Sequence, residues 1–398
     1  TRLPAFGRGP EGWIASFALD SGEPVYGMGE KFGPLDRRGQ FVTNRIEDAL
    51  GVNTELSYKS IPFAWGLKAA GGAWGCLVNT PAHVHHAVGY GQWSHRSYAI
   101  LCEDETFDLF LFAGHDPAHI LARSMDATGR PALPPFWSLG VWLSRAYYRT
   151  EDEILAAAKE CRETGFPADV ITFDGRAWME VKTRATLDFD PARYPDPKAT
   201  IDKLKARNFR ICCWEYPLVS IHNPEYAALE KRGLFLREPD GSPHVYDWDV
   251  SPGTSPFGNV LTPLPPSGIL DFTNPEAVAW WKARHDRLWA VGVDTMKTDF
   301  GEQVLDRVVA HNGDSGRRLH NVYPRLYNQA VYEATAAAKG AADSCVWGRD
   351  GWIGAQKFPV QWGGDPQTDW EGLAASIRGG LSWGLSGVPY YSTDVGGF

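Results

Sequence analysis

The chain has 398 residues, 43% of them apolar, and a formal net charge of −9. That length supports two domains with substantial cores, and the mixed acidic and basic residues argue against nucleic acid or an anionic membrane as partners. No apolar run approaches the roughly 20 residues needed to cross a bilayer.

Thr1-Arg2-Leu3-Pro4-Ala5-Phe6 has neither a signal nor a transit pattern and reads as a start within a longer protein. Residues 1–130 read as a β-sandwich domain. Runs such as Gly12–Leu19 and Phe107–Phe112 alternate or stay apolar between Gly, Asp and Pro turns. In this domain His83-Val84-His85-His86 puts His83 and His85 on one strand face and His86 on the other, a poor metal geometry. Gly27-Met28-Gly29-Glu30-Lys31-Phe32-Gly33 lacks a following βαβ unit and is not a dinucleotide loop. The six cysteines show no CxxC spacing and read as buried free thiols, which favours a cytoplasmic location.

The hinge Arg130-Pro131-Ala132-Leu133-Pro134-Pro135 changes the pattern, and residues 131–398 read as a second domain of alternating strands and helices. Strands are expected at 136–144, 168–174, 209–216, 293–299, 344–349, 358–363 and 387–393. Helices are expected at 151–164, 197–207, 223–232, 275–291, 325–339 and 370–378, the fourth beginning at the cap Asn274-Pro275. Such units imply an α/β fold with a parallel sheet, most simply a (β/α)8 barrel. Seven of eight strands are accounted for: either one strand escapes the count, or the closing strand is absent and this chain is a piece of a longer protein. The Pro-, Gly- and Ser-rich stretch 250–268 reads as a long loop over the site.

Strand ends of a barrel converge on one rim, where chemistry is usually placed. The groups at those ends are Asp174, Glu215, Asp299 with Glu302, Arg349 with Asp350, Asp365 and Asp394, beside Trp178, Trp214 and Trp362. Lys297 and Asp299 alternate onto one face, and a neighbouring cation favours the ionised carboxylate a nucleophile needs. Asp365 follows Trp362-Gly363-Gly364, read as a mobile turn beside an apolar wall that would hold a carboxyl protonated. One ionised and one protonated carboxyl, with many aromatics (17 Trp, 15 Tyr, 19 Phe), suit glycoside hydrolysis. No His stands at these strand ends, so metal hydrolysis is disfavoured.

Colinear segments then carry a resemblance. They are Tyr26–Phe32, Gly129–Pro135, Asp271–Pro275, Lys297-Thr298-Asp299-Phe300-Gly301-Glu302, Gly354–Asp365 and Arg378-Gly379-Gly380-Leu381-Ser382. Together they resemble glycoside hydrolase family 31, the retaining α-glycosidases, and most closely its α-xylosidase branch. The resemblance implies a TIM-type (β/α)8 barrel preceded by an N-terminal β-sandwich, with Asp299 as nucleophile and Asp365 as general acid/base. It also implies a sugar subsite lined by Asp174, Lys297, Arg349 and Trp362, to which Trp214, Thr393 and Asp48 are added, with Glu302 in support. The expected substrate is an oligosaccharide or glycoside, exo-cleaved at a terminal α-xylose or α-glucose. No cofactor or metal is expected, and a homo-oligomer is compatible with the reading.

Departures from the family's pattern fall on specificity. Asp174 is followed by Gly175-Arg176, not by the Cys-Phe-Trp of α-xylosidases or the Asp-Ile-Asp of α-glucosidases, and Thr393 stands where a His is common. An extra Arg145 also appears at the barrel entrance. Either Arg176, with Arg145, recognises an anionic sugar, or both pair with Glu180 or Glu215. An α-galactoside or anionic α-hexoside as substrate, transglycosylation, and carbohydrate binding without catalysis stay open as alternatives.

Overall fold

The computed structural model describes residues 5–145, 148–248 and 264–398. Most of the stretch read as a long loop therefore lies outside the described residues. The chain divides into two compact units, one of Thr1–Ala132, Arg318–Arg325 and Arg349–Phe398, the other of Leu133–Arg317 and Leu326–Gly348.

The first unit is a two-sheet sandwich. One antiparallel sheet orders Phe6–Gly9, Gly12–Ala18, Ser97–Cys102, Val84–Val88 and Phe41–Asn44; the other orders Val25–Gly27, Phe63–Leu67, Ala73–Val78 and Leu109–Gly114. Residues alternate faces along a strand, so the smaller sheet can bury both. Ala64, Cys76 and Val78 pack inward with Val42, Val84, Val88 and Ile100. Phe63, Trp65 and Leu77 face the other way, onto Ile120, Trp383 and Val388. Ile120 belongs to the helix Pro117–Thr128, capped by Asp116, and Trp383 to the helix Trp370–Leu385. That second helix runs seven residues beyond its expected end, through Gly379 and Gly380. The glycines continue it because Phe32 and Tyr391 lie against them, with ring atoms 2.8 and 2.6 Å from where a Cβ would sit.

The segment Arg318–Arg325 docks on this sandwich. Asn321 accepts from Ile46 N–H at 3.1 Å and donates to the Pro81 carbonyl at 3.0 Å. The histidines are engaged by the sandwich itself. His85 contacts Thr43 and Glu103, His83 contacts Arg45 and Glu103, and His86 bridges Asn44 and Tyr98 at 2.7 and 2.6 Å. All six cysteines are free and buried.

The second unit carries five parallel strands in the order Val141–Arg145, Ala168–Phe173, Arg210–Glu215, Thr295–Thr298 and Val346–Gly348. The helices Glu151–Thr164, Pro197–Lys205, Pro275–Arg284, Asp286–Val291 and Tyr323–Lys339 alternate with them. Glu151–Thr164 has the expected bounds: Thr150 caps it, three acids fill its first turn, and Gly165 ends it at φ 74°. Two more strands, Gln361–Trp362 and Tyr391–Ser392, pair parallel within the first unit. Seven parallel-pairing strands are thus present among the described residues, as the sequence suggested. No helix among them is long and apolar enough to cross a membrane.

Two expectations need correction. Residues 136–144 are not one strand: Phe136–Leu139 is a 3-10 turn and the strand begins at Val141. Pro135 presets the turn, and the Ser138 hydroxyl closes it on the Pro135 carbonyl at 2.7 Å. Residues 275–291 are not one helix but break at His285, whose ring is drawn to buried Glu215.

The buried His86 gives a pH test. Burial lowers its pKa from 6.5 to about 3. The folded state therefore resists a proton that the unfolded chain accepts. The stability tied to this neutral ring is present above pH about 6.5 and is lost as pH falls toward about 3. Tm should decline across that window, and His86→Gln should flatten the decline; an unchanged acid slope would contradict this.

Candidate functional site

The second unit gathers six of the residues singled out in the sequence at or just beyond the C-terminal ends of its strands. Asp174 directly follows Ala168–Phe173 and caps the single turn Gly175–Trp178, its Oδ1 accepting the Gly175 N–H at 2.8 Å. Its other oxygen, Oδ2, pairs with Lys297 Nζ at 3.0 Å. Lys297 is nearly enclosed, its ammonium also 5.1 Å from the Trp347 ring centroid. An enclosed ammonium is tolerable only when paired, which accounts for the two strand-end residues meeting.

Asp299 follows the strand Thr295–Thr298 and is 8% exposed. Its Oδ1 accepts the Phe300 N–H at 3.0 Å, and its Oδ2 accepts the indole N–H of Trp214 at 2.8 Å. Both carboxylate oxygens are therefore oriented by donors. Phe300 sits at φ 57°, a left-handed conformation that costs a bulky residue about 1–2 kcal/mol. Its ring is held by Trp248, Tyr216 and Trp214. Glu302, two residues on, is buried as well.

Gly175 explains one departure from the family pattern. A Cβ there would stand 2.8 Å from the Trp214 ring, so the indole occupies the space a side chain would take. Arg176 lies in the same turn, half-buried, and its carbonyl accepts from Arg193. Glu215 does not serve the arginines. It is fully buried, bonded to His285 Nε2 at 2.8 Å and to the Tyr327 hydroxyl at 3.1 Å. Attraction to Glu215 raises the His285 pKa against the opposing effect of burial. Glu180 accepts from Thr183. Trp178 is no rim residue either; it is fully buried, with its N–H on the Trp214 carbonyl and its ring against Phe189.

The first unit gathers the others. Arg349 is 1% exposed, its guanidinium 4.3 Å from the Tyr58 ring centroid, 3.7 Å from Asp350 and 4.0 Å from Asp48. The Asp48 placement in the sequence thus brings it to Arg349. Trp362 is buried in the strand Gln361–Trp362. Thr393 follows Tyr391–Ser392, its hydroxyl buried and, among the described residues, without a hydrogen-bond partner. Asp365 is half-buried. The turn before it, read as mobile, is instead buried. A Cβ on Gly363 would stand 2.1 Å from the Tyr391 hydroxyl, and one on Gly364 2.0 Å from the Tyr58 ring, so only glycine passes between the tyrosines.

Sequence reasoning missed the group beneath these residues. Lys59 Nζ, fully buried, donates to the carbonyls of Arg349 and Trp362 at 3.0 and 2.6 Å and pairs with buried Glu30 at 3.1 Å. Tyr391 donates to the same Glu30 oxygen at 3.0 Å. Burial pushes the Lys59 pKa down and that of Glu30 up, against their mutual attraction. Glu30 lay in a family segment noted in the sequence, and the charged pair Glu30-Lys31 between Gly29 and Phe32 was the available signal.

Comparisons with known proteins agree with this architecture. The family model "Glycosyl hydrolases family 31 TIM-barrel domain" matches residues 131–398, and "Glycosyl hydrolase 31 N-terminal galactose mutarotase-like domain" matches residues 4–86. The chain is 34% identical to an alpha-xylosidase of Emericella nidulans over 97% of its own length and 47% of that protein's. It is 30% identical to the alpha-xylosidase XylQ of Lactiplantibacillus pentosus over 94% and 47%. It therefore spans about half the length of these curated relatives. A solved cycloalternan-degrading enzyme from Trueperella pyogenes has the same fold, with a TM-score of 0.87 at 24% identity, covering 97% of this chain and 57% of that one.

The buried Glu30–Lys59 pair sets a stability prediction. Lys59→Met should destabilise by about 3–5 kcal/mol, because it strands a buried carboxylate. Adding Glu30→Gln should recover part of that loss. Urea unfolding measures both, and a double variant worse than the single one would contradict the pairing.

Proposed function

The chain belongs to glycoside hydrolase family 31, and from that premise we propose that its protein is a retaining, exo-acting α-glycosidase cleaving terminal α-xylosides or α-glucosides. One observation carries the reading: Asp299 ends a parallel strand with both carboxylate oxygens held by donors, two residues from the Lys297–Asp174 ion pair. A nucleophilic carboxylate needs this placement, oriented by fixed donors beside a cation held by another carboxylate.

In the proposed mechanism Asp299 attacks the anomeric carbon while Asp365 protonates the departing glycosidic oxygen. The product is a glycosyl ester on Asp299. Asp365, now ionised, takes a proton from water, and the water attacks the same carbon from the opposite face. The sugar leaves with its α configuration retained and both carboxyl groups restored. Asp174, Lys297, Arg349 and Trp362 are assigned to the sugar bound at the cleavage point, with Asp48, Trp214, Arg176 and Thr393 around it and Glu302 in support. These assignments rest on the family motif and on the geometry within each unit. The relatives named above are α-xylosidases, and the indole filling the space at Gly175 is compatible with a small sugar.

Aryl α-xyloside, α-glucoside, α-galactoside and an anionic α-hexoside, tested side by side on the intact protein, separate the substrates. Turnover is expected on the first two, and Asp299→Ala should lower it by about 10^4-fold or more. An Asp299→Ala variant with unchanged turnover would overturn the assignment. Turnover of the anionic glycoside alone would move the substrate class.

A further inference from the structure

Arg184 is 1% exposed and has no carboxylate in ion-pair contact among the described residues. Its Nη2 donates to the Gly175 carbonyl at 2.5 Å, and its Nε is buried without a hydrogen-bond partner. A buried guanidinium left this way is costly, so something else must compensate it. The compensation on its other side is an aromatic face: the guanidinium carbon lies 5.3 Å from the ring centroid of Trp214. That same indole donates its N–H to Asp299 Oδ2 at 2.8 Å, with both residues buried. Gly175 packs against the ring, where a Cβ would stand 2.8 Å from it, so the indole has little room to turn away. Burial lowers the Arg184 pKa to about 10, which leaves the cation intact at neutral pH.

We propose that Arg184 is a positioning residue that acts through the Trp214 indole to stabilise Asp299 as a leaving group, an inference that rests on Asp299 being the nucleophile. A cation over an indole face draws on the π density and makes the ring N–H a stronger donor, most of all where water is excluded. The strengthened donor matters little to the neutral glycosyl ester. It matters to the carboxylate that the second step regenerates. There the bond between the anomeric carbon and the Asp299 oxygen breaks, and its electron pair returns to Asp299. Water supplies the new oxygen, and Asp365 takes the water's proton. Negative charge then appears on a carboxylate whose Oδ2 already faces the N–H, so Arg184 speeds release of the sugar from the enzyme.

The consequence is a specific kinetic split. With an aryl α-glycoside bearing a good leaving group, Arg184→Met should slow the second step about tenfold. kcat and KM then fall together, kcat/KM stays near the wild-type value, and a burst of phenol precedes the steady state. The glycosyl-enzyme should accumulate and be visible by intact mass. Arg184→Lys, which keeps a cation, should restore most of kcat. Trp214→Phe should also slow sugar release, and adding Arg184→Met to it should cost little more, because the cation acts through the lost N–H.

Loss of kcat/KM without a burst or adduct, or additive effects of the two substitutions, would overturn the proposal. So would an Arg184→Met effect confined to anionic glycosides, which would make Arg184 a substrate contact. Trapping the wild-type protein with a fluorinated α-glycoside and mapping the adduct tests the premise separately. A label on another residue removes the nucleophile assignment itself. A label on Asp299 with no burst in Arg184→Met removes only the relay.

Discussion

The candidate residues gathered in the first unit depend on one buried ammonium. Lys59 ties the carbonyls of Arg349 and Trp362 together from below, and neither contact would survive without Glu30 to balance the charge. Taking an ammonium out of water costs several kcal/mol, and a single carboxylate rarely repays that. Two carbonyls, a carboxylate and the Tyr391 hydroxyl on that carboxylate make the enclosure tolerable. Because the acceptors are main-chain groups of Arg349 and Trp362, the charge fixes backbone, and the side chains follow. The glycines at 363 and 364 belong to the same arrangement, since Tyr391 and Tyr58 occupy the space beside them.

The second unit solves the same problem with less. Lys297 is balanced by Asp174, and the pair joins the ends of two strands that flank Arg210–Glu215 in the sheet, with period-two alternation turning both side chains the same way. Arg184 has no such partner and leans on an indole face. A cation held by a carboxylate is largely neutralised, whereas one held by a π face keeps its field. Arg184 thus faces Asp299 only through the ring whose N–H that carboxylate accepts.

What could be read from the sequence follows from how local each signal was. The helix Glu151–Thr164 was legible because cap, acidic first turn and terminal glycine all lie inside it. Asp174, Lys297 and Asp299 were legible as strand-end groups because strand periodicity is local too. The break at His285 was not, since its cause is Glu215, seventy residues away. Nor was the depth of Trp178, which depends on Phe189 and on the Trp214 carbonyl. The expected looseness of Gly363-Gly364 failed for a related reason. A glycine pair looks permissive along the chain, and only the folded structure reveals whether that freedom is used for motion or for close approach.

Gly175 shows why the sugar is harder to read than the chemistry. In the family pattern this position carries a side chain that shapes the subsite, so a glycine there suggests an empty space. The space is filled, by an indole from the next strand along the sheet. The filler comes from a residue 39 positions along the chain. Its origin is not neutral. A filler delivered from Gly175's own turn would touch only the sugar, whereas Trp214 also bonds to Asp299 and carries Arg184 on its face. Under the proposed assignment of Trp214 to the sugar, any change that trims this ring also disturbs the carboxylate, so specificity and rate are coupled there.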